Sequence, residues 1–296
     1  MIDRERSHPL QDEAESLASA LPPLLVAAER LSSAVSLGVH GRRKSGMGET
    51  FWQFRRYRAE DASTAIDWRQ SAKSQHLFVR EREWEAAEAV WFWRDASAGM
   101  DFKSAASNVT KLERANVLLL ALASLLVRGG ERIALLGDGR PPATGRAPIR
   151  RIAHELLLPG AEDTLPPDAP LTKNAQFVWI SDFLSPFGDI ENVLRRIAGQ
   201  GLGGHLIHII DPAEEEFPYQ GRVRFDAPGG KVSEILGRAE SAREAYRAKF
   251  KAHADTLAEL ARRLGWTYMA HRTDHSPQTA LVALYMNLGG ARKAHT

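Results

Sequence analysis

The chain of 296 residues contains no cysteine. That excludes disulfides, thiol nucleophiles and cysteine-ligated zinc, and it suits a reducing compartment. No charge of one sign dominates either. The 39 Lys and Arg against 37 Asp and Glu leave a net +2, so overall charge points to neither nucleic acid nor an anionic membrane. No apolar run approaches the ~20 residues that cross a bilayer. The longest, Val117–Val127 and His205–Ile210, suit core elements. The first residues, MIDRERSHPL, lack the apolar stretch of a signal peptide. GxxxxGK[ST], HExxH and GxSxG are all missing. The expectation is a soluble, cytoplasmic protein with no membrane span and no nucleic-acid partner.

What is there centres on Ala89–Met100, AVWFWRDASAGM. An apolar run of strand length ends at Asp95, and Asp-x-Ser-x-Gly follows it. Near-continuous apolar runs mark strands buried on both faces, as in the middle of a parallel sheet. Ligands of open α/β sheets sit just beyond the carboxyl ends of such strands.

Along the chain, Ala14–Leu21 and Leu24–Leu37 read as short helices broken by Pro22-Pro23. A glycine-rich basic loop from Gly38 to Gly48 reads as a connector or, alternatively, a phosphate cradle. The stretch from Phe51 to Lys73 interleaves aromatics, arginines and acids. Arginines with aromatics suit stacking on nucleic acid; arginines paired with Asp61 and Asp67 suit a structural clasp. Leu77–Glu83 reads as a half-exposed strand forming a hairpin with Glu88–Arg94 through a turn around Glu85.

Lys111–Val127 reads as a helix with apolar positions nearly all round, ended by Gly129-Gly130. Strands are predicted at Glu131–Gly137, Phe177–Ser181, His205–Ile210 and Trp266–His271. Helices are predicted at Pro148–Leu158, Asp189–Ala198, about Ser233–Leu264, and Pro277–Leu288. An excursion with one or two edge strands lies between Glu214 and Asp226. This alternation implies an α/β fold, a mostly parallel sheet with right-handed crossovers flanked by helices.

Asp95, Asp138, Asp182 and Asp211 each follow an apolar strand. One aspartate at a strand end is ordinary turn chemistry. Several oxygens gathered at one rim can hold Mg²⁺ or another hard cation. His205 and His208 fall at odd spacing within a strand and face opposite sides.

Asp95-x-Ser97-x-Gly99-Met100 after a buried strand, with Ile180-Ser181-Asp182 ending a later one, resembles a von Willebrand factor A domain. The usual first loop there is Asp-x-Ser-x-Ser, completed by a distant Thr and a further Asp into a metal-ion-dependent adhesion site. The resemblance implies Asp95, Ser97, Asp182 and Thr164 as ligands of Mg²⁺ or Mn²⁺. Gly99 stands where a ligand serine is usual. The competing role for Asp95 and Ser97 is to cap the next helix.

Phe51-x-x-x-Arg55-x-Tyr57-x-x-x-Asp61, then Ile66-Asp67-Trp68-x-x-Ser71-Ala72-Lys73, resembles the bacterial domain of unknown function 58 family, with Glu60 and Thr64 departing from its usual pattern. That resemblance runs from about Gly38 to the end. It implies a three-part chain: an N-terminal helical extension and basic loop (1–50), a family-specific Arg/Trp-rich segment (51–87), and a von Willebrand A-like domain (88–296). It further implies an adaptor or chaperone-like partner of a MoxR-type AAA+ ATPase, acting on a client protein. Arg55, Tyr57, Asp61, Asp67 and Trp68 are the partner-binding candidates. The alternatives are a metal-dependent phosphoryl hydrolase using Asp95 or Asp182, and a nucleic-acid binder through Arg42–Lys44 and Arg55–Arg58.

Overall fold

The computed structural model describes residues 22–36, 51–58, 66–74, 76–82, 88–158, 164–227 and 233–291. These fall into two compact units, one within Gly38–Ala87 and one comprising residues 22–36 and the chain from Glu88 onward. The expected helix at Ala14–Leu21, the glycine-rich loop after Gly38, Asp61 and the turn at Glu85 lie outside the described residues.

In the smaller unit, β1 (Phe51–Arg56) pairs antiparallel with β2 (Phe78–Arg82). The short helix α2 (Trp68–Ser71) begins on Asp67, whose Oδ1 accepts from the Gln70 amide at 2.9 Å. Ser71 Oγ ties α2 to β2, accepting from the Phe78 amide at 2.9 Å while donating to the Asp67 carbonyl at 2.8 Å. The hairpin expected between Leu77–Glu83 and Glu88–Arg94 does not form. β2 takes β1 as its partner, and the apolar run at Glu88–Arg94 goes to the middle of a different sheet.

That sheet has five strands: β3 (Ala89–Arg94), β4 (Arg132–Leu135), β5 (Gln176–Ser181), β6 (Gly203–Ile210) and β9 (Thr267–Arg272). Their order is β4-β3-β5-β6-β9, and every pairing is parallel. Side-chain alternation divides the core into two layers. Trp91, Trp93, Phe177, Trp179 and Leu206 face helices α5 (Phe187–Ala198) and α7 (Arg243–Arg263), with Ile190, Val193, Leu194 and Ile197 as the buried stripe of α5. On the other face lies α3 (Lys111–Arg128), which is buried from Leu118 to Leu126. It packs against α4 (Arg146–Leu157) and α8 (Pro277–Ala291) as well as the sheet, which accounts for its apolar character all round.

Helix α1 (residues 22–36) buries Ala28, Leu31 and Val35, and its Glu29 pairs with Arg128 of α3. No helix among the described residues is long and apolar enough to cross a membrane.

The long helix expected from Ser233 starts ten residues later. Ser233–Leu236 is instead strand β8, antiparallel to β7 (Val223–Asp226) in an exposed hairpin. Gly237 separates this strand from Arg243, the first residue of α7. A periodicity reading that merges them overlooks the breaker.

Gly204 in β6 lets Trp266 lie flat on the sheet. A Cβ there would overlap the indole carbons, and the Trp266 N–H donates to the Leu202 carbonyl at 3.0 Å, so the ring has nowhere to retreat. Gly204→Ala is therefore expected to lower unfolding free energy by about 1–3 kcal/mol, measured by urea denaturation. Wild-type stability in this variant would show that the ring is free to move.

Candidate functional site

The strand order reverses at β3, which has β4 on one side and β5 on the other. Such a switch point opens a crevice beyond the carboxyl ends of the two strands. Asp95 leaves β3 there and Asp182 leaves β5. Both carboxylates are buried.

Asp95 is held by neutral donors. Its Oδ1 accepts from the Ser97 amide at 2.8 Å and its Oδ2 from Ser181 Oγ at 2.8 Å. Ser181 Oγ in turn accepts from the Phe183 amide at 2.9 Å, and the Asp95 amide donates to the Ile180 carbonyl at 2.9 Å. Burial pushes the Asp95 carboxyl above its ordinary value. The Ser97 amide opposes this and the nearby Asp182 charge adds to it. Ser97 leads into a single 3₁₀ turn, Ala98–Asp101, without a side-chain cap bond to it. The Asx-type turn at Asp95 thus accounts for the Asp-x-Ser spacing on its own.

Asp182 has a cationic partner that the sequence reading missed. Lys111, the first residue of α3, is 0% exposed. Its Nζ lies 2.9 Å from Asp182 Oδ2 and 2.5 Å from Glu214 Oε1, with the Phe102 ring centroid 5.9 Å away. Burial works against the ammonium, but the charges of Asp182 and Glu214 outweigh it and hold the lysine above its ordinary value. Glu214 belongs to the short helix α6 (Pro212–Glu216), where it accepts from the Asp211 amide at 2.8 Å. Asp211 caps that helix through the Ala213 amide at 2.9 Å and accepts from the Ser104 amide at 2.9 Å. The remaining strand-end aspartate, Asp138, pairs with Arg151 at 3.0 Å and stands apart from this network.

The structure therefore brings Asp95, Ser97 and Asp182 to one rim. The Thr164 hydroxyl is engaged elsewhere, accepting from Ser185 Oγ at 2.7 Å. Gly99 has no side-chain oxygen to offer. Among the described residues no group of three or more His, Asp or Glu is arranged to hold a metal ion. An ammonium already sits against Asp182, so a divalent ion would meet its repulsion. These residues do not fit the divalent ion implied by the von Willebrand resemblance.

Of the partner-binding candidates, Arg55 is in β1 and Tyr57 follows it, its amide donating to the Leu77 carbonyl at 2.8 Å. Asp67 is the cap of α2, and Trp68 beside it is 66% exposed. Lys111 and Glu214 had one legible sign between them. A lysine directly after the Thr110 cap sits at the positive end of a helix, where cations are disfavoured.

A parallel five-stranded sheet flanked by helices, with a buried polar cluster at its switch point, defines an α/β domain. The family is equally definite. Residues 53–256 match the family "Protein of unknown function DUF58", and the chain belongs to it. It is 29% identical over 280 residues to the uncharacterized proteins Mb1516 of Mycobacterium bovis and Rv1480 of Mycobacterium tuberculosis, covering 87% of this chain and 85% of each relative. Among solved structures it is similar to the conserved hypothetical protein BatB from Bacteroides thetaiotaomicron (14% identity, TM-score 0.42, 70% of this chain and 100% of that one). It is also similar to an aerotolerance-related membrane protein from Bacteroides fragilis (16%, 0.38, 68% and 99%).

Three buried histidines give the domain a directional response to acid. Burial holds His205 and His271 down at about 4 and His208 at about 3. All three stay neutral in the folded state, while the unfolded chain takes protons below about 6.5. Stability is therefore full above that pH and falls as pH drops toward 4, by ~1.4 kcal/mol per pH unit for each proton. Asp95 and Glu214, both raised by burial, act in the opposite sense. Comparing His208→Gln with wild type isolates the histidine contribution. The variant is expected to lose stability less steeply between pH 6.5 and 4 by up to one proton in urea denaturation, and an unchanged slope would refute the assignment.

Proposed function

We propose that this chain is a non-catalytic interaction module that docks a MoxR-type AAA+ ATPase in the cytoplasm and presents or holds a client protein for it. The observation that carries this reading is the contrast at the rim. Asp95, Asp182, Asp211 and Glu214 are all engaged within the chain, while two large apolar side chains stand exposed beside them. Leu184, two residues beyond Asp182, is 57% exposed, and Phe102, over the Lys111 ammonium, is 38% exposed. Exposed apolar groups rimmed by polar ones suit protein docking.

Hydrolysis through Asp95 or Asp182 would need one of them as a base or a ligand. Both are buried and bonded to internal donors. Trp68, with Arg55, Tyr57, Asp61 and Asp67, is a second contact region supported by the family resemblance. Trp and Tyr anchors dominate many interfaces.

The test is retention of a MoxR-type ATPase from the same source on the tagged full-length chain, with ATP, with ADP and without nucleotide. Retention is expected in at least one nucleotide state, weakened about tenfold or more by Leu184→Asp and by Trp68→Ala. A folded chain that retains no ATPase in any nucleotide state would overturn the reading.

A further inference from the structure

The cation in this rim is part of the chain. Lys111 sits where neither helix chemistry nor burial favours a lysine: in the first turn of α3, at 0% exposure. What its position does satisfy is the geometry of chelation. One positive centre draws together carboxylates carried by two separate strand ends, Asp182 after β5 at 2.9 Å and Glu214 after β6 at 2.5 Å. The Phe102 ring lies near the same nitrogen, 5.9 Å from its centroid. Asp95 lies close enough to Asp182 to feel its charge, so the lysine also moderates the repulsion between two buried acids. The oxygens a metal would use are absent or committed, with glycine at position 99 and the Thr164 hydroxyl bonded to Ser185.

We infer that the Lys111 ammonium is a covalently tethered replacement for a divalent cation at this rim, and that shortening the side chain opens a Mg²⁺/Mn²⁺ site at Asp182 and Glu214. The first consequence is that the native rim is complete without metal. The second is that a partner is not captured by coordinating its carboxylate to an ion here, because the cation is sealed under protein. The inference stands on the ion-pair geometry alone and holds whether or not an ATPase docks nearby.

The experiment uses the full-length chain as wild type, Lys111→Ala and Lys111→Met. Each is titrated with Mg²⁺ and Mn²⁺ by calorimetry and melted in excess Mg²⁺ or in EDTA. Wild type is expected to give no binding heat and the same Tm in both buffers. Lys111→Ala is expected to melt lower in EDTA and to gain about 3 °C or more in Mg²⁺, as occupancy of a new site at excess ion gives. Lys111→Met fills the space without oxygen or charge and is expected to respond less than Lys111→Ala.

If Lys111→Ala is recovered unfolded, refolding with Mn²⁺ becomes the readout. Return of the folded circular-dichroism signal supports the inference, and failure to return overturns it. Metal binding by wild type that is lost in Asp182→Ala would overturn it, as would a folded Lys111→Ala indifferent to both ions.

Discussion

A lysine ammonium held out of water between two carboxylates ties three separate segments of this protein together. Burying such charges costs several kcal/mol per ion, and their mutual attraction repays this only where the geometry is close and the remaining lone pairs are satisfied. Both conditions are met. Asp182 also accepts from the Leu184 amide at 3.2 Å, and Glu214 from the Asp211 amide at 2.8 Å. The start of α3, the end of β5 and the turn after β6 therefore have one arrangement that keeps all three charges paired. The loop geometry of the rim follows from that arrangement, including the placement of Phe102 and Leu184.

The hydrophobic frame decides where this network can form. Trp93 and Trp179 meet edge to face, with centroids 5.6 Å apart, on the face covered by α5 and α7. On the opposite face the fully buried stretch of α3 fixes the depth at which Lys111 enters. Below the rim, His208 is packed among Phe183, Phe250 and Tyr268 and bonded to the Tyr268 hydroxyl at 2.8 Å. The rim thus sits directly over a closely packed aromatic core.

Much of the frame could be read from the chain because its signals are local. Five apolar runs of strand length, alternating with helices, imply a mostly parallel sheet, and Asp95 and Asp182 lie at strand ends as the runs imply. The role of Lys111 is not local. A lysine after the Thr110 cap is out of place at a helix start, but only the sheet's strand order brings it to Asp182, 71 residues away, and to Glu214, 103 residues away. Pairing choices failed similarly. Nothing within Leu77–Arg94 says that β2 prefers β1 to its nearer neighbour β3, and Ser233–Leu236 becomes a strand only because β7 supplies an edge.

The most direct test of the account is a double-mutant cycle between Lys111 and Asp182, using Lys111→Met, Asp182→Asn and the pair, read by urea unfolding. If the buried cluster organises the rim, each single change is destabilising: Lys111→Met leaves Asp182 and Glu214 without their cation, and Asp182→Asn leaves Lys111 with Glu214 alone. The double variant then loses less than the sum of the two single variants, with a coupling of about 1–3 kcal/mol, while Glu214 still lacks its lysine. Additive losses, with coupling near zero, would mean that the ammonium and the carboxylate are not held together in solution, and the account of the rim would fail.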